Sequence, residues 1–499
     1  MMKWLTSFAL LISTLSFSAH ATSIDQQINA WLMPVGELFT SIIFYSLNVY
    51  SVEIPVIVVW LILAALAFTA YFGFINIKGF KHSCKVIRGD YSDPNDPGEV
   101  SHFQALSTAL SGTVGLGNIA GVAIAVSIGG PGATFWMMFA GFMGMSTKFL
   151  ECTLGVKYRQ ITKQGKVLGG PMYYLKDGLA ELGHQKLGKI LAVFFAICCV
   201  VASLCGSNML QSNQAYQQFV IAMGGSSSFW ADKGWLFGSI LAVVIAVVII
   251  GGIKSIAKVT AKVVPLMAGI YLLAAMFVLA VNYDAIIPAF GLIIEGAFFA
   301  EGVVGGMVGV MIQGFKRSTF SSEAGVGAAS IAHATASTKE PIREGYVALL
   351  EPFIDTVVIC TITALVIVIT GAYQGVEGID GVALTSRAFA SVIWWFPYLL
   401  SVAVLLFAIS TMISWAYYGS IAWSFLVGES KSLDLAYKFV FCMFTIIGAS
   451  TSLDAVIAIS DSMFFSMAIA NIVGLYMLAP LVKKDLHTYQ EKYLIKVST

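Results

Sequence analysis

Ser111-Gly112-Thr113-Val114-Gly115-Leu116-Gly117-Asn118 stands in the middle of an apolar run from 103 to 129, and the reading of this stretch decides the fold. The run is long enough to cross a bilayer as a helix, which takes about 20 residues. Its three glycines, flanked by Ser, Thr and Asn, weaken helix continuity where the chain reaches the bilayer middle. Backbone unwound in hydrocarbon is costly unless its freed N–H and C=O groups line a cavity holding ions, water or a polar solute. The stretch therefore reads as a broken helix facing a site. In the second half of the chain, the run from 302 to 322 contains Gly305-Gly306-Met307-Val308-Gly309-Val310-Met311-Ile312-Gln313-Gly314-Phe315, which reads as a second broken helix. Small residues also let membrane helices pack closely without a ligand. Two clusters, each opening a half of equal span number, favour the broken-helix reading.

Working outward, 499 residues that are 58% apolar and only 11% charged do not describe a soluble chain, where about 25% would be charged. Apolar runs near 54 to 76, 103 to 129, 132 to 156, 190 to 223, 236 to 252, 263 to 281, 302 to 322, 345 to 371, 398 to 427, 434 to 449 and 454 to 482 are read as transmembrane helices. The expected fold is an all-α polytopic membrane protein of about 11 spans. Five spans start with each broken run, and an odd number per half forces the halves into opposite orientations. This is the inverted-repeat layout of secondary transporters, with the site between the breaks. The expected organisation is a signal peptide at 1–21, an extracytoplasmic segment at 22–53, one extra helix at 54–76, repeats at 103–281 and 302–482, and a tail at 483–499.

Lys3, the apolar stretch from Trp4 to Phe17 and the run Ser18-Ala19-His20-Ala21 have the layout of a cleavable secretory signal. Lys and Arg concentrate on alternate polar segments: Lys78 to Arg88, Lys157 to Lys189, Lys254 to Lys262, Lys316 to Arg343, Lys431 with Lys438, and Lys483 to Lys496. The opposite side holds Lys233 and Arg387. Positive charge is retained in the cytoplasm, so the mature N-terminus is expected outside and the C-terminus inside a bacterial-type inner membrane. With 28 basic and 27 acidic residues, the net charge of +1 gives no electrostatic argument for a nucleic-acid partner. Six of the seven cysteines fall in apolar segments and no CxxC pair exists, which argues against a disulfide framework or a zinc site.

Polar residues at membrane depth mark function. Asn118 follows the glycine run; Asn208, Gln211 and Gln214 recur at helical spacing; Thr411 and Trp415 share a face at i, i+4. Lys148 and Glu151, at i, i+3, read as a buried pair, while Asp355 and Asp461 lack an adjacent base. No serine, histidine and acid assemble into a catalytic set, so an enzyme is not expected.

The motifs Thr108-Ala109-Leu110-Ser111 through Gly117-Asn118-Ile119-Ala120-Gly121-Val122, Gly129-Gly130-Pro131-Gly132-Ala133, Gly169-Gly170-Pro171-Met172-Tyr173-Tyr174, Phe320-Ser321-Ser322-Glu323-Ala324-Gly325 and Ser410-Thr411-Met412-Ile413-Ser414-Trp415 resemble those of the alanine/glycine:cation (sodium:alanine) symporter family. The resemblance covers nearly the whole chain after the signal-like start. It implies a leucine-transporter-like fold with one extra N-terminal helix and sodium-coupled import of small neutral amino acids such as alanine or glycine. It further implies that the substrate carboxylate meets Gly115, Leu116, Gly117 and Asn118, that Gln211, Phe315, Thr411 and Trp415 line the pocket, and that Trp415 limits substrate size. Sodium would lie between carbonyls of Ser111, Val114 and Ala408 together with Thr411. Leu116, Thr134, Met138 and Ser322 depart from the residues usual in the family, which keeps glutamine or another small neutral amino acid open. Proton coupling through Asp355 or Asp461 is the competing ion choice, and a channel or non-transporting sensor on the same scaffold is the competing activity.

Overall fold

The computed structural model describes residues 24–49, 52–299, 306–374, 381–392, 394–451 and 453–494. The signal-like segment 1–21 and the last five residues of the tail lie outside these. Helix α1 (Ile24–Ile43) and a hairpin of β1 (Ser46–Val49) and β2 (Val52–Pro55) lead into α2 (Val56–Tyr71) and α3 (Phe80–Arg88). The first half comes next as α4 (His102–Thr113), α5 (Ala120–Gly129), α6 (Ala133–Lys157), α7 (Gln185–Ala222), α8 (Gly234–Ile249) and α9 (Gly252–Val281). After α10 (Ile286–Phe298), the second half comprises α11 (Gly306–Ser322), α12 (Ser330–His333), α13 (Pro341–Ile369), α14 (Val382–Ala390), α15 (Phe396–Val427), α16 (Lys431–Ser450) and α17 (Leu453–Tyr493).

Among the described residues, α7, α9, α13, α15, α16 and the Ile459–Tyr493 part of α17 are long and apolar enough to cross a membrane. The α4–α5 pair, bent by 59°, makes a seventh candidate, and α2 and α8 are shorter apolar helices. Among the described residues, length and composition thus identify six or seven of the eleven expected spans. Segment 22–53 holds the helix α1, which packs along α17; the Thr40 and Ser462 hydroxyls lie 3.1 Å apart, and Phe44 meets Phe465 edge-on.

Helices at the same position in the chain order of each half lie side by side: α6 with α13, α7 with α15, and α8 with α16. Such pairing is what two inverted halves produce around an axis running between them. Helix α4 packs against α9 and α15, and α5 against α11, so the first broken span lies inside the bundle. The start of α4 is fixed by a capping box, in which Gln104 N–H donates to Ser101 Oγ at 3.2 Å and Ser101 N–H to Gln104 Oε1 at 3.0 Å.

The second break is not where the glycine run places it. From Gly306 through Phe315 and on to Ser322 the helix α11 is uninterrupted, and Gly305 lies outside the described residues. The chain leaves helical geometry at Glu323, Gly325 and Gly327, whose φ values of 53°, 93° and 91° are all left-handed. Gly314 serves packing instead: a Cβ there would lie 2.6 Å from Ala133 O, so its absence lets α11 approach the start of α6. Lys148 and Glu151 do not pair with each other, contrary to their i, i+3 spacing. Lys148 Nζ donates to Glu351 Oε1 at 2.9 Å across to α13. Glu151 Oε1 instead accepts Gly325 N–H at 2.9 Å and Asn471 Nδ2–H at 2.7 Å, supplying the partner that the unwound Gly325 amide lost with the helix.

Candidate functional site

The first break is built from its own side chain. After α4 the backbone turns extended at Val114, and Gly115 N–H donates to Asn118 Oδ1 at 2.9 Å, closing a tight loop before the short turn Leu116–Asn118. The Asn118 amide N–H group donates outward to Asp355 Oδ1 at 2.6 Å, Asp355 O at 3.0 Å and Ser321 Oγ at 3.2 Å. Ser321 and Thr356 hydroxyls donate to Asp355 Oδ2, both at 2.7 Å. Asn118 and Asp355 thereby tie the first break to α11, just ahead of the second break, and to α13.

Opposite stands α15. Ser111 Oγ donates to Ser410 O at 2.5 Å, and Ser414 Oγ donates to Ser111 Oγ at 3.0 Å and Thr108 O at 2.9 Å, which seams α4 to α15. One residue along from Ser410, Thr411 Oγ1 faces the break so closely that a Cβ on Gly115 would lie 2.7 Å from it, and Gln211 Oε1 would be 3.8 Å away. A π-helical turn at Cys205–Met209 precedes Gln211; such turns re-aim the residues after them and recur at functional sites.

These walls, with Gly117, Phe320 and Glu323, enclose a narrow cavity with about 300 Å³ of empty space, of which about 20 Å³ can take the centre of a water-sized group. Gln211 Oε1, Glu323 Oε2, Thr411 Oγ1 and, nearby, Tyr418 OH are buried without a hydrogen-bond partner. Buried polar atoms left single cost roughly 1–3 kcal/mol each, so their convergence on one cavity indicates a visiting polar solute or ion.

A model of the sodium:alanine symporter family matches residues 37–497. The chain belongs to that family. The sodium/alanine symporter AgcS of Methanococcus maripaludis is 40% identical over 440 residues, 88% of this chain and 94% of the relative. A probable sodium/glutamine symporter of Bacillus subtilis, GlnT, is 32% identical over 435 residues, 86% of this chain and 87% of the relative. The structure of MhsT in complex with L-phenylalanine superposes with a TM-score of 0.53 at 14% identity, covering 78% of this chain and 98% of that one. The fold is therefore mostly helical and leucine-transporter-like, and the protein is a multi-pass membrane transporter of the symporter family, not an enzyme.

Within that family framework, Gly115, Gly117, Gln211 and Thr411 meet at the cavity. Trp415 is fully buried beside it, stacked edge-on against Phe464 at 4.9 Å with Nε1 donating to Glu323 Oε1 at 3.2 Å. Ser111, Val114 and Ala408 lie buried where α4 ends against α15. Leu116 is buried outside the cavity wall. Phe315 stands apart: two turns before the second break on continuous helix, its ring faces Trp136 and Phe139 on α6. Asn208 also turns away, donating to Phe441 O at 2.6 Å. Asp461 meets Lys316 at 3.7 Å. Sequence reasoning passed over Glu323, Phe320 and Tyr418. For Glu323 a signal existed, since an acid just before Gly325 and Gly327 is rare at membrane depth.

Proposed function

We propose that this symporter-family protein imports a small neutral amino acid, alanine or glycine, with sodium as the coupling ion, by rocking one half against the other. The observation that carries this is the convergence of unpartnered polar atoms on a narrow cavity beside the first break. The substrate carboxylate is received at the stretch Gly115, Leu116 and Gly117, where the Leu116 and Gly117 N–H groups at the start of the turn lack intrahelical acceptors while the Gly115 N–H is held by Asn118 Oδ1. Asn118 acts by holding that turn in shape. Sodium sits where α4 ends, taking oxygens of Ser111, Val114, Ala408 and Thr411; carbonyls at a helix C-terminus suit a cation. Ion binding there would fix the break in the form that accepts substrate, so a sodium gradient drives solute uptake. The space in the cavity is about that of a single water molecule, so any amino acid enters only after the cavity widens; the choice of alanine or glycine rests on the family likeness. The N-terminus is placed outside and the C-terminus in the cytoplasm of an inner membrane, from the distribution of Lys and Arg.

The test is uptake of labelled alanine into proteoliposomes under an imposed sodium gradient. Accumulation should appear with sodium outside and vanish when potassium replaces it; equal uptake in both salts removes sodium coupling, and uptake driven by a pH step alone moves it to protons. Thr411→Ala should raise the sodium concentration needed for half-maximal uptake by about tenfold, the loss of one good ligand interaction. Trp415→Ala should admit larger side chains such as leucine. A variant with the parent's substrate range would show that Trp415 does not limit size.

A further inference from the structure

Neither the carboxylate site nor the sodium site uses Glu323, yet it is the most expensive group at the cavity. It comes directly after the last residue of α11, its backbone is left-handed at φ 53°, and its side chain is almost wholly buried. A non-glycine residue in that conformation costs about 1–2 kcal/mol. Its carboxylate receives a single hydrogen bond, from Trp415 Nε1 to Oε1, while Oε2 has no partner and the residue lines the cavity. A strained backbone that holds a half-satisfied carboxylate against a cavity is arranged for a cation.

We infer that Glu323 receives the α-ammonium group of the substrate. This rests on the reading that the cavity takes a zwitterionic amino acid. With Thr411 Oγ1 assigned to sodium, the side-chain atoms left unpartnered at the cavity, Gln211 Oε1 and Glu323 Oε2, are oxygens able to accept, and an ammonium group brings three N–H donors and no acceptor. The two breaks also present opposite ends. The first holds the Leu116 and Gly117 N–H groups assigned above to the carboxylate, while the second offers the carbonyl end of α11, and Glu323 is attached to it. A zwitterion lying from one to the other sets its carboxylate on those N–H groups and its ammonium on the C-terminal end of α11, which carries partial negative charge. Sodium has its own helix end, that of α4, and the Trp415 N–H on the Glu323 carboxylate occupies an oxygen that an ion would need.

The experiment uses the full-length protein in proteoliposomes, with labelled alanine uptake competed by unlabelled alanine and by lactate, which carries a hydroxyl where alanine carries the ammonium. Glu323→Gln should weaken competition by alanine at least tenfold and leave competition by lactate unchanged. Glu323→Asp, which keeps the charge, should restore part of the alanine preference. A merely structural glutamate would lower both competitors together, and that result overturns the assignment, as does unchanged alanine affinity in Glu323→Gln. Should Glu323→Gln lose labelled uptake, its thermal shift with alanine and with lactate gives the same comparison. If it instead loses the thermal stabilisation given by sodium alone, the carboxylate serves the ion and the assignment falls. A parent protein that takes up no alanine overturns the underlying reading, and this inference with it.

Discussion

Gly115→Val should reduce amino-acid uptake on the order of a hundredfold while leaving the protein folded and in the membrane. Space decides the outcome. A Cβ at this position would lie 2.7 Å from Thr411 Oγ1, closer than real Cβ contacts come, and valine adds two further methyl groups. The Thr411 hydroxyl is set on the long helix α15, seamed to α4 by Ser111, Ser410 and Ser414, so neither wall yields easily. What yields is the loop between Gly115 and Asn118, and with it the amide groups assigned to the carboxylate. The rest of α4 and α5 would keep its packing, because the added methyl groups point into the cavity rather than into a helix interface. Uptake should be measured against membrane-inserted protein, with Gly115→Ala as a milder step expected to fall between. Uptake by Gly115→Val equal to the parent's would place the substrate elsewhere.

The first break was readable because glycine, hydroxyl and amide residues crowd together in one membrane-depth segment, and in the structure Asn118 is the residue that closes the loop. The second was misplaced for a physical reason. Glycine serves both to unwind a helix and to let one approach another, and Gly305 to Gly314 carries no mark of which. The answer lies in a neighbour far along the chain: the Ala133 carbonyl against Gly314. The true break at Glu323 to Gly327 holds fewer glycines but gains Glu151 and Asn471 as partners, and Asn471 accepts in turn from Tyr174 OH. Those contacts join residues from α6, α17 and the short helical segment Pro171–Glu181 between α6 and α7, which no local spacing brings together. Likewise, the π-helical turn at Cys205–Met209 changes the helical register, so Asn208 turns to Phe441 of a neighbouring helix while Gln211 reaches the cavity. Hydrophobic periodicity reports spans well and says little about where a span bends.

Lys148→Met should destabilise the protein by about 3–5 kcal/mol, the usual effect of removing one partner of a buried ion pair. Lys148 and Glu351 are both fully buried, on α6 and α13. The pair does not stand alone. His333 Nε2 lies 3.5 Å from Glu351 Oε2, its Nδ1 lies 2.6 Å from Glu344 Oε1, and His102 Nδ1 meets the other oxygen of Glu344. Charge therefore runs from α6 through α13 to α12 and the start of α4, joining the segments that flank both breaks. With lysine gone, Glu351 keeps only the longer His333 contact and must stay charged without compensation or take up a proton. Either course weakens the packing of α6 on α13, the equivalent helices of the two halves. In detergent the loss should appear as a shorter half-life on warming, since membrane proteins of this size unfold irreversibly. The double variant Lys148→Met with Glu351→Gln should recover most of that half-life, because no unpaired charge remains and the coupling between the two sites is what the cycle isolates. A single variant as durable as the parent would mean that Glu351 is already neutral and that the chain of contacts from Lys148 to His102 carries no net ion pair.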